Sequence, residues 1–389
     1  MVAPVALAML LANAATPLGV DLSWKAPLAD NGAAGFSACD RAVYYEALSE
    51  DLDEVRKLDV TTGAKGWRID PGPQDVIEGH CTPRLIVFMS LTSYREQEPA
   101  AGSAQTGAQA PAPPSKLWAV DIGTGRPKWS FEFADSYGWS WCDARDCLLG
   151  TMQAIAVLDT DTGKLRWKAG DFGVSGVGDS IVYGSFAVSD AHVFATTGEE
   201  HNKVRLVALN RADGNEAWTA DVAYVSGEAK LVSTADRIVA AWYTEPPESL
   251  HISAFGESTG KPIWSKTIDA GGVIAADGDL LLVTAANALY GINISDGTQR
   301  WRAAVGAGTG DHGDWVLTSK HVVGWIWQET TKSTLAWLER NTGRPEAGWK
   351  LPAQVVASGR DARLIAASGD RAFVESGATL LALTLRPQP

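Results

Sequence analysis

The chain has 389 residues, 46% of them hydrophobic and 20% charged, which supports a packed core and excludes global disorder. Its net charge of -13 argues against a nucleic-acid backbone or anionic lipid headgroups as the main partner, because both would be repelled. The 16 Trp and 39 Gly point to many short strands joined by turns that need left-handed backbone.

Residues 1–20 read as a signal peptide or the remnant of a membrane anchor. Val2 to Leu11 is apolar, and Ala12-Asn13-Ala14 then offers a small-residue cleavage signal. The basic flank is missing and no Cys stands where a lipobox needs one, so an apolar first strand is the competing reading. The expectation is an exported, extracytoplasmic protein, either cleaved or tethered to a membrane through this segment. Residues 21–389 read as one domain.

In that domain "VDLSWKAP" comes first and supplies Trp24 with no strand before it. Next come three matching stretches, "SACDRAVYY", "GHCTPRLIVF" and "SWCDARDCLL", which place Cys39, Cys81 and Cys142 at one point of three successive units. Cys142 and Cys147 bracket "DARD", a turn short enough for a bond across a strand pair. Equivalent turns of neighbouring units would bring Cys39 to Cys81. Four cysteines allow three pairings, so this pairing is a preference; their even number fits an oxidising compartment.

A repeat then dominates the chain. Its pattern is an apolar residue, Asp or similar, a turn ending in Gly, and Trp. It occurs as "LDVTTGAKGW", "VDIGTGRPKW", "LDTDTGKLRW", "LNRADGNEAW", "FGESTGKPIW", "INISDGTQRW" and, two residues longer, "LERNTGRPEAGW". The turn glycines are Gly63, Gly125, Gly163, Gly214, Gly260, Gly297 and Gly343; the Trp series is Trp67, Trp129, Trp167, Trp218, Trp264, Trp301 and Trp349. Alternating apolar residues before each copy make a strand, Asp and Thr bond back to the turn, and Gly supplies φ > 0. Trp lands on the returning strand, where its large area suits a seam between neighbouring units. Two further strands precede each hairpin, giving four per unit. Most Trp-to-Trp intervals are roughly 37 to 51 residues, the spacing of propeller blades.

The one long interval contains residues 95–116, rich in Ala, Gly, Gln and Pro and therefore read as a flexible loop. The C-terminal "ATLLALTLRPQP" is a strand leading into a copy that stops before its Trp. Joined with the Trp24 strand it completes an eighth unit. The fold class expected is all-β, an eight-bladed β-propeller of four-stranded antiparallel blades, the last closed by the N-terminal strand, with seven blades as the alternative.

"DTDTG" at Asp159 to Gly163 resembles the start of a calcium loop, but the second carboxylate is absent from the sibling copies, so a hairpin turn is the reading. Asp311, His312 and Asp314 in "TGDHGDW" are candidates for cation binding or acid–base work, weighed against a polar loop. Trp139 with Trp141, and Trp325 with Trp327, share a strand face and form either a recognition surface or packing between blades. Trp242-Tyr243 puts one ring on each face, and "EEHNK" at Glu199 to Lys203 reads as a solvated hairpin tip.

The run "LDTDTGKLRW" and its siblings resemble the pyrroloquinoline-quinone-type β-propeller repeat, and the eight-unit layout looks like its BamB-like branch of envelope scaffolds. That resemblance covers nearly the whole chain after residue 20. The BamB-like branch implies a non-catalytic propeller that binds a protein partner in the cell envelope, with no quinone; the chain itself is expected to be a monomer that binds no nucleic acid. The other branch implies a quinoprotein dehydrogenase with quinone and calcium, an Asp base and an adjacent Cys-Cys pair; no two cysteines are adjacent here. No catalytic, cofactor or metal residue is carried over. The dehydrogenase and an extracellular sensor domain are the alternatives to the scaffold.

Overall fold

The computed structural model describes residues 18–27, 33–39, 42–47, 54–71, 75–91, 114–133, 138–151, 154–170, 186–199, 203–222, 230–234, 236–244, 249–269, 272–285, 288–305, 315–328, 331–350, 362–368, 370–376 and 379–387. Every regular element among them is a β-strand. The strands form eight four-stranded antiparallel sheets, the blades of an eight-bladed β-propeller.

Each sheet is one stretch of chain folded back and forth. Blade 3 shows the pattern, with strands Gly138–Cys142, Asp146–Thr151, Ala154–Asp159 and Leu165–Gly170 paired in that order. Blades 1 and 2 begin at Ala33 and Asp75; blades 4, 5, 6 and 7 begin at Ala187, Lys230, Gly272 and Trp315. Blade 8 differs. Its strands Ala362–Ser368, Arg371–Ser376 and Thr379–Pro387 are completed by Leu18–Pro27 from the other end of the chain. Ser23 Oγ lies 2.6 Å from Thr384 Oγ1, Arg386 Nε lies 3.4 Å from Asp21, and the Trp24 ring centroid is 6.1 Å from that of Phe373.

The expected single domain packs as two compact units: Ala26–Asp171, holding blades 1 to 3, and Met1–Lys25 with Phe172–Pro389, holding blades 4 to 8. In the first, Tyr44, Phe88, Trp118 and Val120 form one core cluster between sheets. In the second, Trp325, Trp337, Leu364 and Val374 form another. These interiors follow from the strand patterns: Asp146–Thr151 and Leu280–Ala285 are buried almost throughout, as middle strands covered on both faces must be.

Two boundaries differ from the sequence expectation. The first strand starts at Leu18, inside the segment read as a leader, because its residues pair with the C-terminal strand. Ser115 and Lys116 belong to strand Ser115–Asp121 rather than to the loop. Ser115 is buried, and Lys116 donates to the Pro71 carbonyl at 2.7 Å, while burial holds its ammonium below the ordinary lysine range. The rest of that loop, residues 95–113, lies outside the described residues.

The turn between third and fourth strands recurs for a local reason. Asp121 Oδ1 accepts from Gly123 N at 3.1 Å, Thr124 N at 2.9 Å and Thr124 Oγ1 at 2.9 Å. In blade 3, Asp159 Oδ1 accepts from Thr162 N at 3.0 Å and Thr162 Oγ1 at 2.7 Å. Gly163 then turns at φ 66°, a conformation other residues adopt only with strain.

Hydrogen bonds from the Thr two or three residues on hold the carboxyls of Asp59, Asp121, Asp159 and Asp296 below their ordinary value. The unfolded carboxyl titrates near pH ~4, so the contribution is complete above that pH and fades as pH falls through the lower folded value. Acid unfolding followed by tryptophan fluorescence should therefore steepen below about pH 4. Replacing Asp59, Asp121 and Asp159 together by Asn should flatten that limb; an unchanged limb would remove the turns from the account.

Candidate functional site

Five of the repeat tryptophans build seams between blades. Trp67 Nε1 donates to the Ile122 carbonyl at 3.1 Å, and Trp129 Nε1 to that of Thr160 at 2.8 Å. Trp218, Trp264 and Trp301 donate to the carbonyls of Glu257, Ile294 and Arg340 at 2.9, 2.7 and 2.8 Å. Each acceptor lies in the following blade, and each is the third residue of its repeat. The same rings lie against the next turn glycine: Trp67 against Gly125, Trp129 against Gly163, Trp218 against Gly260, Trp264 against Gly297 and Trp301 against Gly343. Trp24 and Trp167 are buried, and Trp349 packs at the edge of the cluster around Trp325.

That third residue is a hub that sequence reasoning missed. Its N–H bonds a carbonyl in the first turn of its own blade, as in Thr160 N to Arg145 O at 3.2 Å and Ile294 N to Asp279 O at 3.0 Å. In several blades its side chain also reaches back. Glu257 of blade 5 accepts from Ser189 Oγ at 2.5 Å, and its Oε1 lies 2.7 Å from His192 Nδ1, both in blade 4. Arg340 of blade 7 donates to the carbonyl of Thr318 in its own blade at 3.0 Å and pairs with Asp277 of blade 6. The Arg211 guanidinium donates to Ser189 O at 3.1 Å. A column of Val60, Ile122, Thr160, Arg211, Glu257, Ile294 and Arg340 shows no shared chemistry, only charge that appears in some copies. That charge was the available signal.

Around Arg340 the polar network extends. Arg300 bonds Asp279 at 2.6 Å and Asn293 Oδ1 at 2.7 Å, and this pairing with Arg300 holds the Asp279 carboxyl below its ordinary value. His321 Nε2 lies 2.8 Å from Glu346, and its Nδ1 lies 3.6 Å from Asp370 of blade 8.

These groups resemble catalytic pairs in composition but not in access. His192 and Glu257 are each 8% exposed, and the bonds from Ser189 and His192 both fall on one oxygen of Glu257. The arrangement fastens one blade to the next. Among the described residues no group of three or more His, Cys, Asp or Glu could hold a metal ion.

The other sequence candidates are placed as follows. Asp311, His312 and Asp314 lie outside the described residues. Trp325 is fully buried in the core cluster of blades 7 and 8, which makes it packing rather than a recognition surface. Trp141 is partly buried opposite Leu148; the side chains of Trp139, Trp327 and Tyr243 are outside the description. Trp242 is buried and stacks on His251, with ring centroids 6.2 Å apart. Glu199 and Lys203 stand opposite each other in the backbone register of paired strands. Asp161, the would-be calcium ligand, is exposed and pairs with Arg84.

Cys142 and Cys147 stand directly opposite on paired strands, with Cα atoms 4.2 Å apart, and form a disulfide. Cys81 is also disulfide-bonded. The side chain of Cys39 lies outside the description.

Comparison with known proteins places this geometry. The family model described as outer membrane protein assembly factor BamB matches residues 115–243 and 248–386. The solved BamB from Moraxella catarrhalis is similar at 13% identity and a TM-score of 0.60, covering 94% of this chain and 100% of that one. The computationally designed Ika8 protein is similar at 12% identity and a TM-score of 0.63, covering 92% and 98%. The quinohemoprotein alcohol dehydrogenase ADHIIG from Pseudomonas putida HK5 is similar at 12% identity and a TM-score of 0.56, covering 95% and 77%. A curated relative named as the dehydrogenase XoxF of Paracoccus denitrificans is 24% identical over 192 residues, 46% of this chain but only 29% of that protein. At such identities the solved structures speak for the fold alone, whereas the family model matches more than half of the chain in two long stretches. The chain therefore belongs to the outer membrane protein assembly factor BamB family of pyrroloquinoline-quinone-type propellers.

Proposed function

We propose that the chain is a non-catalytic propeller of the cell envelope, exported and folded in an oxidising compartment, that binds a protein partner. The observation that carries this reading is the family match over residues 115–243 and 248–386. The Cys142–Cys147 disulfide supports export, since such bonds persist outside the reducing cytosol. The described polar clusters support a non-catalytic role, because their side chains fasten blades to one another and are already paired.

A second reading, a quinone-dependent dehydrogenase, is favoured by the similarity to XoxF. A quinone bound with calcium would supply two-electron oxidation of an alcohol and needs several oxygen ligands around the ion. The described residues offer no acidic cluster to hold it and no adjacent cysteines, so they do not fit that group.

One experiment separates the two. The full chain is titrated with pyrroloquinoline quinone and calcium, reading quenching of its tryptophans, and then assayed for alcohol-dependent dye reduction. The scaffold reading expects neither saturable quenching nor turnover, together with one envelope protein recovered at equal stoichiometry by in-cell cross-linking. Saturable quinone binding with turnover would overturn it, as would cross-links to cytoplasmic proteins only.

A further inference from the structure

All four cysteines fall within residues 26–171, and residues 172–389 contain none. Within that unit the placement is regular. Cys39, Cys81 and Cys142 are each the last residue of the first strand of blades 1, 2 and 3. Each leads into the first turn of its blade, the turn whose carbonyl the hub residue's N–H contacts in blades 2 and 3.

In blades 4, 6 and 7 charged hub side chains fasten the same turn, whereas the hubs of blades 6 and 8 themselves, Ile294 and Leu385, carry no charge. Arg211 and Glu257 converge on the turn at Ser189 and His192, and Arg340 on the turns at Asp277 and Thr318. The hub residues of blades 1, 2 and 3 are Val60, Ile122 and Thr160, which carry no charge to span that gap. In blade 3 the disulfide joins the two ends of that turn, beside the buried Asp146 that Arg166 bonds at 2.7 Å. Cys147 is fully buried, its Sγ lies 3.5 Å from Thr160 Oγ1, and the Thr160 carbonyl holds Trp129 of blade 2. Disulfide, hub and seam tryptophan are thus one connected path.

We infer that residues 26–171 are a thiol–disulfide-responsive module, locked by disulfides at the first turns of its blades, the turns that charged hub residues fasten in blades 4, 6 and 7, with Cys39 as the partner of Cys81. This stands whether the chain is a scaffold or an enzyme. The chemistry is ordinary exchange. A dithiol's thiolate attacks one sulfur of Cys142–Cys147, its second thiol resolves the mixed disulfide, and the dithiol leaves oxidised. Two electrons and two protons pass to the protein as two thiols. Since the sulfurs are buried, attack follows opening of the Asp143–Asp146 turn. Oxidation state then sets how firmly blades 1 to 3 close and leaves blades 4 to 8 unaffected.

The test is hydrogen exchange by mass spectrometry on the full chain, oxidised and after dithiothreitol, with thiol titration proving four thiols released. A non-reduced peptide map checks the Cys39–Cys81 pairing. Exchange in blades 1 to 3 should rise about tenfold or more, and exchange in blades 4 to 8 should stay within about twofold. C142S/C147S should reproduce the effect around blade 3 without any reductant. Equal acceleration in both units, no acceleration with four thiols titrated, or Cys81 linked to a cysteine other than Cys39 would overturn the inference.

Discussion

Replacing Gly343 with alanine is expected to destabilise the protein by about 2–4 kcal/mol, well beyond the ~1 kcal/mol of a simple left-handed alanine. Gly343 sits at φ 65°, and a Cβ there would stand 2.5 Å from Trp301 Cε3 and 2.6 Å from Cδ2. The ring cannot simply retreat. It is 6% exposed, and its Nε1 donates to the Arg340 carbonyl at 2.8 Å, so retreat breaks a buried bond. Gly278→Ala is the control: its φ is 57°, but the atom a Cβ would meet is the Arg340 guanidinium nitrogen at 3.5 Å. Urea unfolding read by tryptophan fluorescence compares the two. Equal costs would mean that backbone strain alone, and not the glycine–tryptophan seam, explains the repeat.

The second large effect concerns the buried clasp of blades 4 and 5. Glu257→Ala should cost about 3–5 kcal/mol, because it strands the buried His192 ring without its Nδ1 partner and takes away the carboxylate that accepts from Ser189 Oγ. Glu257→Gln keeps an acceptor and should cost about 1–2 kcal/mol. The double change His192→Leu with Glu257→Leu should recover much of the loss, since an apolar pair leaves nothing unsatisfied. Hydrogen exchange in residues 186–199 and 249–269 should locate the loosening at this seam. A double variant no more stable than Glu257→Ala would mean that lost packing, not the stranded polar groups, sets the cost.

The comparison of these two sites explains what could be read from sequence. The turn glycines and seam tryptophans answer to a local requirement, positive φ followed by a large ring, and that requirement repeats in every copy. A repeated need leaves a repeated residue. Blade count and the split eighth blade followed from it, with Trp24 supplying what the C-terminal strands lack. The hub position has a fixed backbone role but no fixed side chain, so Glu257 and Arg340 looked like unrelated variable residues. Their partners, Ser189 and Asp277, stand 68 and 63 residues away in sequence, a proximity only the packed blades create. Trp325 is a case that strand spacing left open between a recognition surface and packing, and burial between blades 7 and 8 decided for packing.

The strand Leu18–Pro27, lying beside Thr379–Pro387, makes the molecule a natural candidate for complementation in trans. A polypeptide beginning after Pro27 would carry an unfinished sheet whose missing member is a ten-residue segment. A synthetic peptide of that segment would be its complement, anchored by Trp24 beside Phe373 and by Asp21 beside Arg386. Capture of such a peptide would convert a fold-closing contact into a measurable bimolecular affinity.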